Sequence, residues 1–304
     1  MVAHLPECPG VSTAAPVARQ SLSQGIAQLK SSALARYGEA LIEVTVDESG
    51  VRGTVALPSQ AEALRSLVSE LWPQASCRLL VLSNRHVRLL IHPDGETLQI
   101  WRRRRGGGGD QEELTSQLLP GDPPAALLAV RQGQYLVKAP GEAVGWVPKT
   151  ARFRLEAAKQ TGAGGQAATP EGQSWDPALV RETAVGLLGQ PYLFGGTGGA
   201  GIDCSGLTWR AFLAAGLVLP RNSRAQRKVG ARVRLEDLRE ADLVCAVYRG
   251  PKRTSHVALG LGPDEVIHAC SERNQVSREP LADFRARYQI ITCRRLPGAV
   301  PVGR

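Results

Sequence analysis

Aromatic residues are scarce in this chain, at 5% of its 304 residues, and there is a single methionine. Its cores must therefore be assembled mainly from Leu, Val, Ile and Ala. At 43% hydrophobic residues the composition supports folded domains and argues against global disorder. Lysine is rare as well, with 6 residues against 31 arginines. That ratio reads as GC-rich coding rather than as a nucleic-acid footprint. No stretch approaches the ~18 apolar residues of a membrane span, so no membrane partner is expected. The opening MVAHLPECPGVSTAAPVARQ lacks a basic region followed by an apolar core, so no secretory signal is visible. A cytoplasmic location is the expectation for a chain that has not lost a leader. The six cysteines, at 8, 77, 204, 245, 270 and 293, contain no CxxC pair. That spacing speaks against a zinc ribbon and against a small disulfide scaffold, and most are expected to be buried free thiols.

The formal net charge is +9. Residues 170–304 hold 19 Lys+Arg against 13 Asp+Glu, so most of the excess lies there. Such a field favours an anionic substrate, or is simply a soluble basic surface.

The length suggests two domains, or three. Residues 1–90 read as a small α/β unit without any chemical constellation. Its first 17 residues are Pro/Ala-rich and expected to be loose. A helix is predicted over 18–36, weakened by Gly25. LIEVTVDESGVRGTVAL predicts two strands about a turn at Asp47–Gly50. A helix then starts at Pro58-Ser59 with the stripe Ala63, Leu64, Leu67, Val68 and Leu71, and CRLLVLS returns as a strand.

Residues 91–155 differ. Short apolar runs (LQIW, LTSQLL, AALLAV, QYLVKA, AVGWVP) alternate with Gly, Pro and Asp turns, which predicts a small all-β barrel. RRRRGGGGD, at 102–110, reads as a charged hairpin tip rather than a nucleic-acid patch, and no nucleic-acid partner is expected. Residues 156–174 have the composition of a flexible linker. The last domain is 175–304.

Chemistry concentrates in that domain. Residues 204–215, CSGLTWRAFLAA, predict a helix ended by Gly216. Cys204 then sits in the first turn, where free N–H groups and the helix dipole favour a thiolate, the nucleophilic form. His256 opens the apolar run HVALGLG, and its imidazole is the candidate base, projecting from a strand toward that helix. His268 ends the next run, EVIH. An adjacent antiparallel strand would set it beside His256 as the orienting third member. A metal site of Cys204, His256, His268 and Cys270 is disfavoured, because beyond the single His-x-Cys no pair has zinc-type spacing. No metal or cofactor is expected. The glycines at 195, 196, 198 and 199 let a loop pass near the nucleophile, and Tyr192 can bring in a hydroxyl.

The stretch GQPYLFGGTGGAGIDCSGLTWRAFLAAGLVLPRNSRAQ carries Tyr-x-aromatic-Gly-Gly, then Asp-Cys-Ser-Gly opening a helix, then Leu-Pro-Arg. With TSHVALGLG and VIHAC beyond it, the sequence resembles the NlpC-type family of cell-wall cysteine peptidases over about 120 residues. LLPGDPPAALLAVRQGQYLVKAPGEAVGWVPKTARF, with Gly145-Trp146-Val147 near its end, resembles bacterial SH3-like domains. The resemblance implies an α+β fold. A papain-like domain, its nucleophile helix packed on an antiparallel sheet, would follow an SH3-like barrel and the α/β N-terminal unit. It also implies a cysteine-type endopeptidase or dipeptidyl-peptidase that cuts the γ-D-glutamyl–L-diamino acid bond of peptidoglycan stem peptides. Members with a preceding SH3-like domain often take only fragments with a free N-terminal L-Ala, releasing L-Ala-γ-D-Glu as in murein peptide recycling.

By that resemblance Tyr192 helps to hold the oxyanion beside the backbone N–H of the nucleophile. Asp203 binds the free amine, and Ser205 and Ser223 line the same pocket. From the residues alone, Asp203 is equally a helix N-cap. Two departures stand out: Phe194 replaces a common Trp, and Ala241-Asp242 replaces the usual Gly-Asp. Two other functions remain open. One is a secreted autolysin whose SH3-like domain binds the wall. The other is a non-peptidase, either a binding protein or a thiol acyltransferase.

Overall fold

The computed structural model describes residues 14–37, 41–84, 89–104, 111–157, 174–251 and 253–300. Most of residues 1–17, expected to be loose, residues 105–110 of the Arg/Gly-rich run expected as a hairpin tip, and nearly all of 156–174, expected as a linker, lie outside the described residues. The chain divides into two compact units, 14–33 with 41–84, and 34–37 with 89–300.

In the first unit α1 is Ala14–Tyr37. It begins earlier than the composition suggested, taking in residues 14–17, because Pro16 falls in its first turn, where a missing N–H costs nothing. Strands β1 (Ile42–Asp47) and β2 (Gly50–Val55) form a hairpin in which Asp47 pairs with Gly50. The Asp47 carboxylate accepts from the backbone N–H and the hydroxyl of Ser49, which closes the turn. Helix α2 (Pro58–Leu71) crosses over to β3 (Ser76–Val81), which runs parallel to β2. The buried face of α2 is Gln60, Ala61, Leu64 and Val68, one step round from the expected stripe. Gln60 belongs inside because its carbonyl accepts the N–H groups of Ala56 and Leu57 at the helix start. A Cβ on Gly25 would lie 2.7 Å from Leu67 Cδ2. The residue that weakens α1 by propensity is the one that admits α2.

The second unit opens with an antiparallel sheet of β4 (Leu89–Pro93), β5 (Leu98–Arg104), β6 (Gln111–Leu118), β7 (Ala125–Arg131), β8 (Gln134–Lys138), β9 (Val144–Pro148) and β10 (Phe153–Ala157). Its order is β10-β4-β7-β8-β9-β5-β6. The outer strands β10 and β6 do not pair with each other among the described residues, so the expected barrel is here an open sheet.

Then come α3 (Pro177–Gly186), the short β11 (Thr197–Gly198) and β12 (Gly201–Ile202), α4 (Cys204–Ala214), α5 (Ser223–Gln226) and β13 (Ala231–Val233). They are followed by β14 (Leu243–Tyr248), β15 (Ser255–Gly260), β16 (Glu265–Cys270), β17 (Gln275–Pro280), α6 (Leu281–Arg287) and β18 (Tyr288–Arg295). The six-stranded antiparallel sheet is ordered β13-β18-β14-β15-β16-β17. Strand alternation sorts its residues into two cores. Leu243, Cys245, Val257, Leu259, Ile267 and Ala269 join Leu207, Ala211 and Phe212 of α4. Val244, Ala246, Ala258 and Val266 join Leu281 and Phe284 of α6. The chain is thus of mixed α+β class. Among the described residues no helix is long and apolar enough to cross a membrane.

Two local features explain sequence departures or anchor the site. Ala241 has φ 63°, a left-handed conformation that suits glycine. The neighbouring Asp242 is buried, accepts from Arg239 N and pairs with Arg295, so this corner is structural. Gly195 also has a positive φ, 78°, and a Cβ there would lie 2.2 Å from the Leu114 carbonyl oxygen of β6. Only glycine lets the loop before Cys204 rest on that strand. Gln117 secures the contact: its side-chain oxygen accepts from Thr197 N at 3.1 Å and its carbonyl from Thr197 Oγ1. The Asp122–Arg210 ion pair ties the same sheet to α4.

Candidate active site

Cys204 is the first residue of α4, and Asp203 is its N-cap, with Oδ1 accepting from Gly206 N at 2.7 Å. The Cys204 sulfur accepts from the backbone N–H groups of Val257, on β15, and of Ser205. Burial nevertheless pushes the thiol up to about 12, and the Asp203 charge adds to the rise. The helix start was expected to favour a thiolate. Here desolvation outweighs those N–H groups and Arg221, so the resting group is a thiol. Cys245, Cys270 and Cys293 are also buried free thiols, Cys77 is half-exposed, and Cys8 lies outside the described residues.

The two histidines meet across neighbouring strands. His256 Nε2 and His268 Nδ1 are 2.8 Å apart, with the rings edge to face. His268 Nε2 lies 2.9 Å from Glu279 Oε1 on β17. Glu279 in turn accepts from Arg273 and Arg287. His268 is fully buried, and Glu279 is 3% exposed. Sequence reasoning set His256 toward the nucleophile helix. Its ring instead stacks on Tyr288, with centroids 4.5 Å apart, and lies 6.0 Å from Phe284 of α6. The alternation explains this: Val257 takes the face that covers α4, so His256 takes the other. At the start of β15 it lines the same cavity as Cys204. Burial, then His268 and Arg287, hold the His256 imidazole well below its ordinary value. At neutral pH it is an uncharged base.

Asp203 does more than cap. Arg221 reaches both of its oxygens, Nη1 to Oδ1 at 3.0 Å and Nη2 to Oδ2 at 2.9 Å. Gly195 N donates to Oδ2 and Ser205 Oγ to Oδ1. Arg221 Nη1 also donates to Ser205 Oγ, and Nη2 to the Gly196 carbonyl. One buried ion pair therefore fixes the glycine loop, the cap and the first turn of α4. Sequence reasoning gave Arg221 no role, although the Leu-Pro-Arg motif contains it. It also passed over Gln226, fully buried, which donates to the Ser205 and Pro220 carbonyls and accepts from Thr208. Ser223 opens α5, and its hydroxyl donates to Ser255 Oγ at 3.1 Å.

These groups surround a cavity of about 450 Å³. Cys204, His256, Tyr192, Asp203, Ser205 and Ser223 all line it, as do Arg102, Glu113 and Leu114 from the open sheet and Phe194 at 58% exposure. His268 stands behind His256 and off the cavity. Burial raises the Tyr192 phenol above its ordinary value, so it stays a proton donor. Among the described residues no group of three or more His, Cys, Asp or Glu is placed to hold a metal ion. A buried thiol and an uncharged imidazole lining one cavity, with a phenol lining it too, are equipped for acyl transfer.

Comparison with known proteins agrees with this chemistry. Residues 189–295 match the profile of the NlpC/P60 family. The "Gamma-D-glutamyl-L-lysine dipeptidyl-peptidase" of Bacillus subtilis (strain 168) is 38% identical over 91 residues, 30% of this chain and 31% of that protein. Its namesake from Bacillus cereus (strain ATCC 10987 / NRS 248) is 36% identical over 96 residues, 31% of this chain and 29% of that protein. A solved NlpC/P60 family protein from Bacillus cereus ATCC 10987 is 22% identical, covering 70% of this chain and 65% of its own, with a TM-score of 0.38. This chain thus spans about three-tenths of the length of these two curated relatives. It is residues 189–295, with the candidate nucleophile Cys204, both histidines and the buried Arg221–Asp203 pair, that match the NlpC/P60 family.

Proposed function

We propose that the chain is a cysteine peptidase that hydrolyses the γ-D-glutamyl–L-diamino acid bond of peptidoglycan stem peptides. The observation that carries the chemistry is that a capped helix-start cysteine, Cys204, and His256 of the buried His256–His268 pair line one cavity. The substrate class is supported by the names of the relatives. In the first step His256 takes the Cys204 proton as the sulfur bonds to the γ-glutamyl carbonyl carbon. The oxygen becomes an anion held by Tyr192 and the Cys204 N–H. The imidazolium then gives its proton to the amine of the diamino acid, which leaves. Water, deprotonated by the same imidazole, adds to the thioester, and the thiolate is expelled and takes that proton back from the imidazolium. His268 orients the base.

The finer reading is a peptidase for fragments with a free N-terminal L-Ala, which it shortens by L-Ala-γ-D-Glu in cytoplasmic recycling of wall peptides. It takes residues 91–155 as an SH3-like module whose Arg102, Glu113 and Leu114 close one side of the cleft. Asp203, Ser205 and Ser223 then receive the amine. Because Arg221 already neutralises Asp203, the ammonium gains a shared, charge-assisted hydrogen bond at the lower end of the usual ~1.5–3 kcal/mol. Loss of about 1.5 kcal/mol is roughly a factor of ten in kcat/KM, to which the clash of an acyl cap adds. The test is L-Ala-γ-D-Glu-diamino acid with and without an N-acetyl group, alongside intact sacculi, with products read by mass spectrometry. The free peptide should be cut at least about tenfold better than its acetylated form. Equal cleavage would return Asp203 to capping alone, and release from sacculi would favour a wall autolysin.

A further inference from the structure

Glu279 lies behind the histidines, off the cavity, with its carboxylate 2.9 Å from His268 Nε2. A carboxylate buried this deeply needs a reason. The strand register supplies the placement. Val266 is opposite Glu279 and His268 is opposite Ser277, so Glu279 shares the face of His268 one pleat away. Two arginines hold it, Arg287 on both oxygens and Arg273 on Oε2 at 3.0 Å.

We propose that Glu279 is a positioning residue that sets the tautomers of both histidines, so that His256 turns a bare Nδ1 toward Cys204. The proposal rests on the reading of Cys204 and His256 as nucleophile and base. An ionised carboxylate accepts and cannot donate. His268 must therefore carry its proton on Nε2, and its Nδ1 is left as an acceptor. The 2.8 Å contact to His256 Nε2 then requires the proton on that nitrogen. The remaining nitrogen of His256, Nδ1, keeps its lone pair, as a base for the thiol demands. The arginines complete the logic. Two guanidiniums lie on the Glu279 carboxylate and hold it as an acceptor. Burial works to raise the Glu279 carboxyl, and the His268 hydrogen bond and Arg287 outweigh it, so the group stays ionised.

The amide of Glu279→Gln has one acceptor oxygen, and the two guanidiniums take it. The NH₂ then faces His268 and forces its proton to Nδ1. His256 must in turn protonate Nδ1, and the base presents an N–H to the thiol. Glu279→Asp stays acceptor-only and keeps the native order. The experiment is a long-range proton–nitrogen NMR spectrum of the ¹⁵N-labelled full chain at neutral pH, which has only five histidines to assign. The wild type should show both His256 and His268 protonated on Nε2, and Glu279→Gln both on Nδ1. In parallel, Glu279→Gln should lose about 10²–10⁴ in kcat with KM little changed, and Glu279→Asp should recover at least tenfold of that loss. A wild-type His268 protonated on Nδ1 overturns the proposal. So do unchanged tautomers or full kcat in a folded Glu279→Gln. If the wild type cleaves no stem peptide, the peptidase reading falls, while the tautomer spectra still decide the role of Glu279.

Discussion

Replacing Arg221 by methionine tests whether one buried ion pair holds the nucleophile's surroundings together. Arg221 is 5% exposed and donates to both Asp203 oxygens, to Ser205 Oγ and to the Gly196 carbonyl. Methionine fills most of the volume and removes every donor. Losing one partner of a buried pair costs about 3–5 kcal/mol, because the other charge stays buried. Asp203 would keep the bonds from Gly195 N, Gly206 N and Ser205 Oγ, so the lower figure, about 3 kcal/mol, applies. For a unit of about 150–250 residues each kcal/mol moves Tm by about 2–4 °C, so the expected fall is about 6–12 °C. A pair buried this deeply is poorly screened, so added salt should leave the difference in place. The assay is thermal unfolding of wild type, Arg221→Met, Asp203→Asn and the double variant. If the pair is the cause, the double variant is hardly worse than either single one. Additive losses, or a fall in Tm under 2 °C for Arg221→Met, would refute the reasoning.

Cys204→Ala should abolish peptide turnover while leaving Tm within about 2 °C, because the change removes one small sulfur from a cavity wall; residual activity in that variant would remove Cys204 from the mechanism. His256→Ala should cost about 10²–10⁴ in kcat and His268→Ala less, since the second loses orientation and tautomer control only; the reverse order in steady-state assays would exchange their roles. The wild type should lose stability as pH falls. His256 is held well below 6.5, so from about 6.5 downward the unfolded chain takes up a proton that the folded one refuses. Glu279, lowered from 4.5, adds stability present above that value and lost as pH falls through its folded value. Below about 6.5 the loss approaches about 1.36 kcal/mol per pH unit for as long as the folded His256 stays uncharged. Urea unfolding at about pH 6.5 and about pH 5 measures it, and a wild-type curve as flat as that of His256→Ala would contradict the assignment.

Local chemistry made much of this protein legible in its sequence. Asp203 before Cys204 and Gly216 after the apolar run mark the ends of α4, because capping groups act on neighbours one to three residues away. The turn at Asp47–Gly50 and the start of α2 at Pro58 are equally local. Alternation marked the strands that carry His256 and His268, and twelve residues with a turn between them suffice to pair two adjacent strands. What only the tertiary structure decided depends on register and burial. The face on which His256 stacks against Tyr288 follows from how β15 pairs with β14, which no periodicity in HVALGLG reveals. The cysteine's resting thiol is a balance between helix-start N–H groups and desolvation, and only packing sets the second. Glu279 reads as an ordinary surface glutamate in QVSREP until β17 pairs with β16 and carries it under His268. Arg221, seventeen residues from Cys204, and Leu114 and Gln117, far earlier in the chain, meet the same loop only once α5 and the open sheet are in place. Sequence points to candidate reactive groups because their chemistry is short-ranged. Their protonation states, and the walls around them, are set by residues distant in the chain whose contacts exist only in the fold.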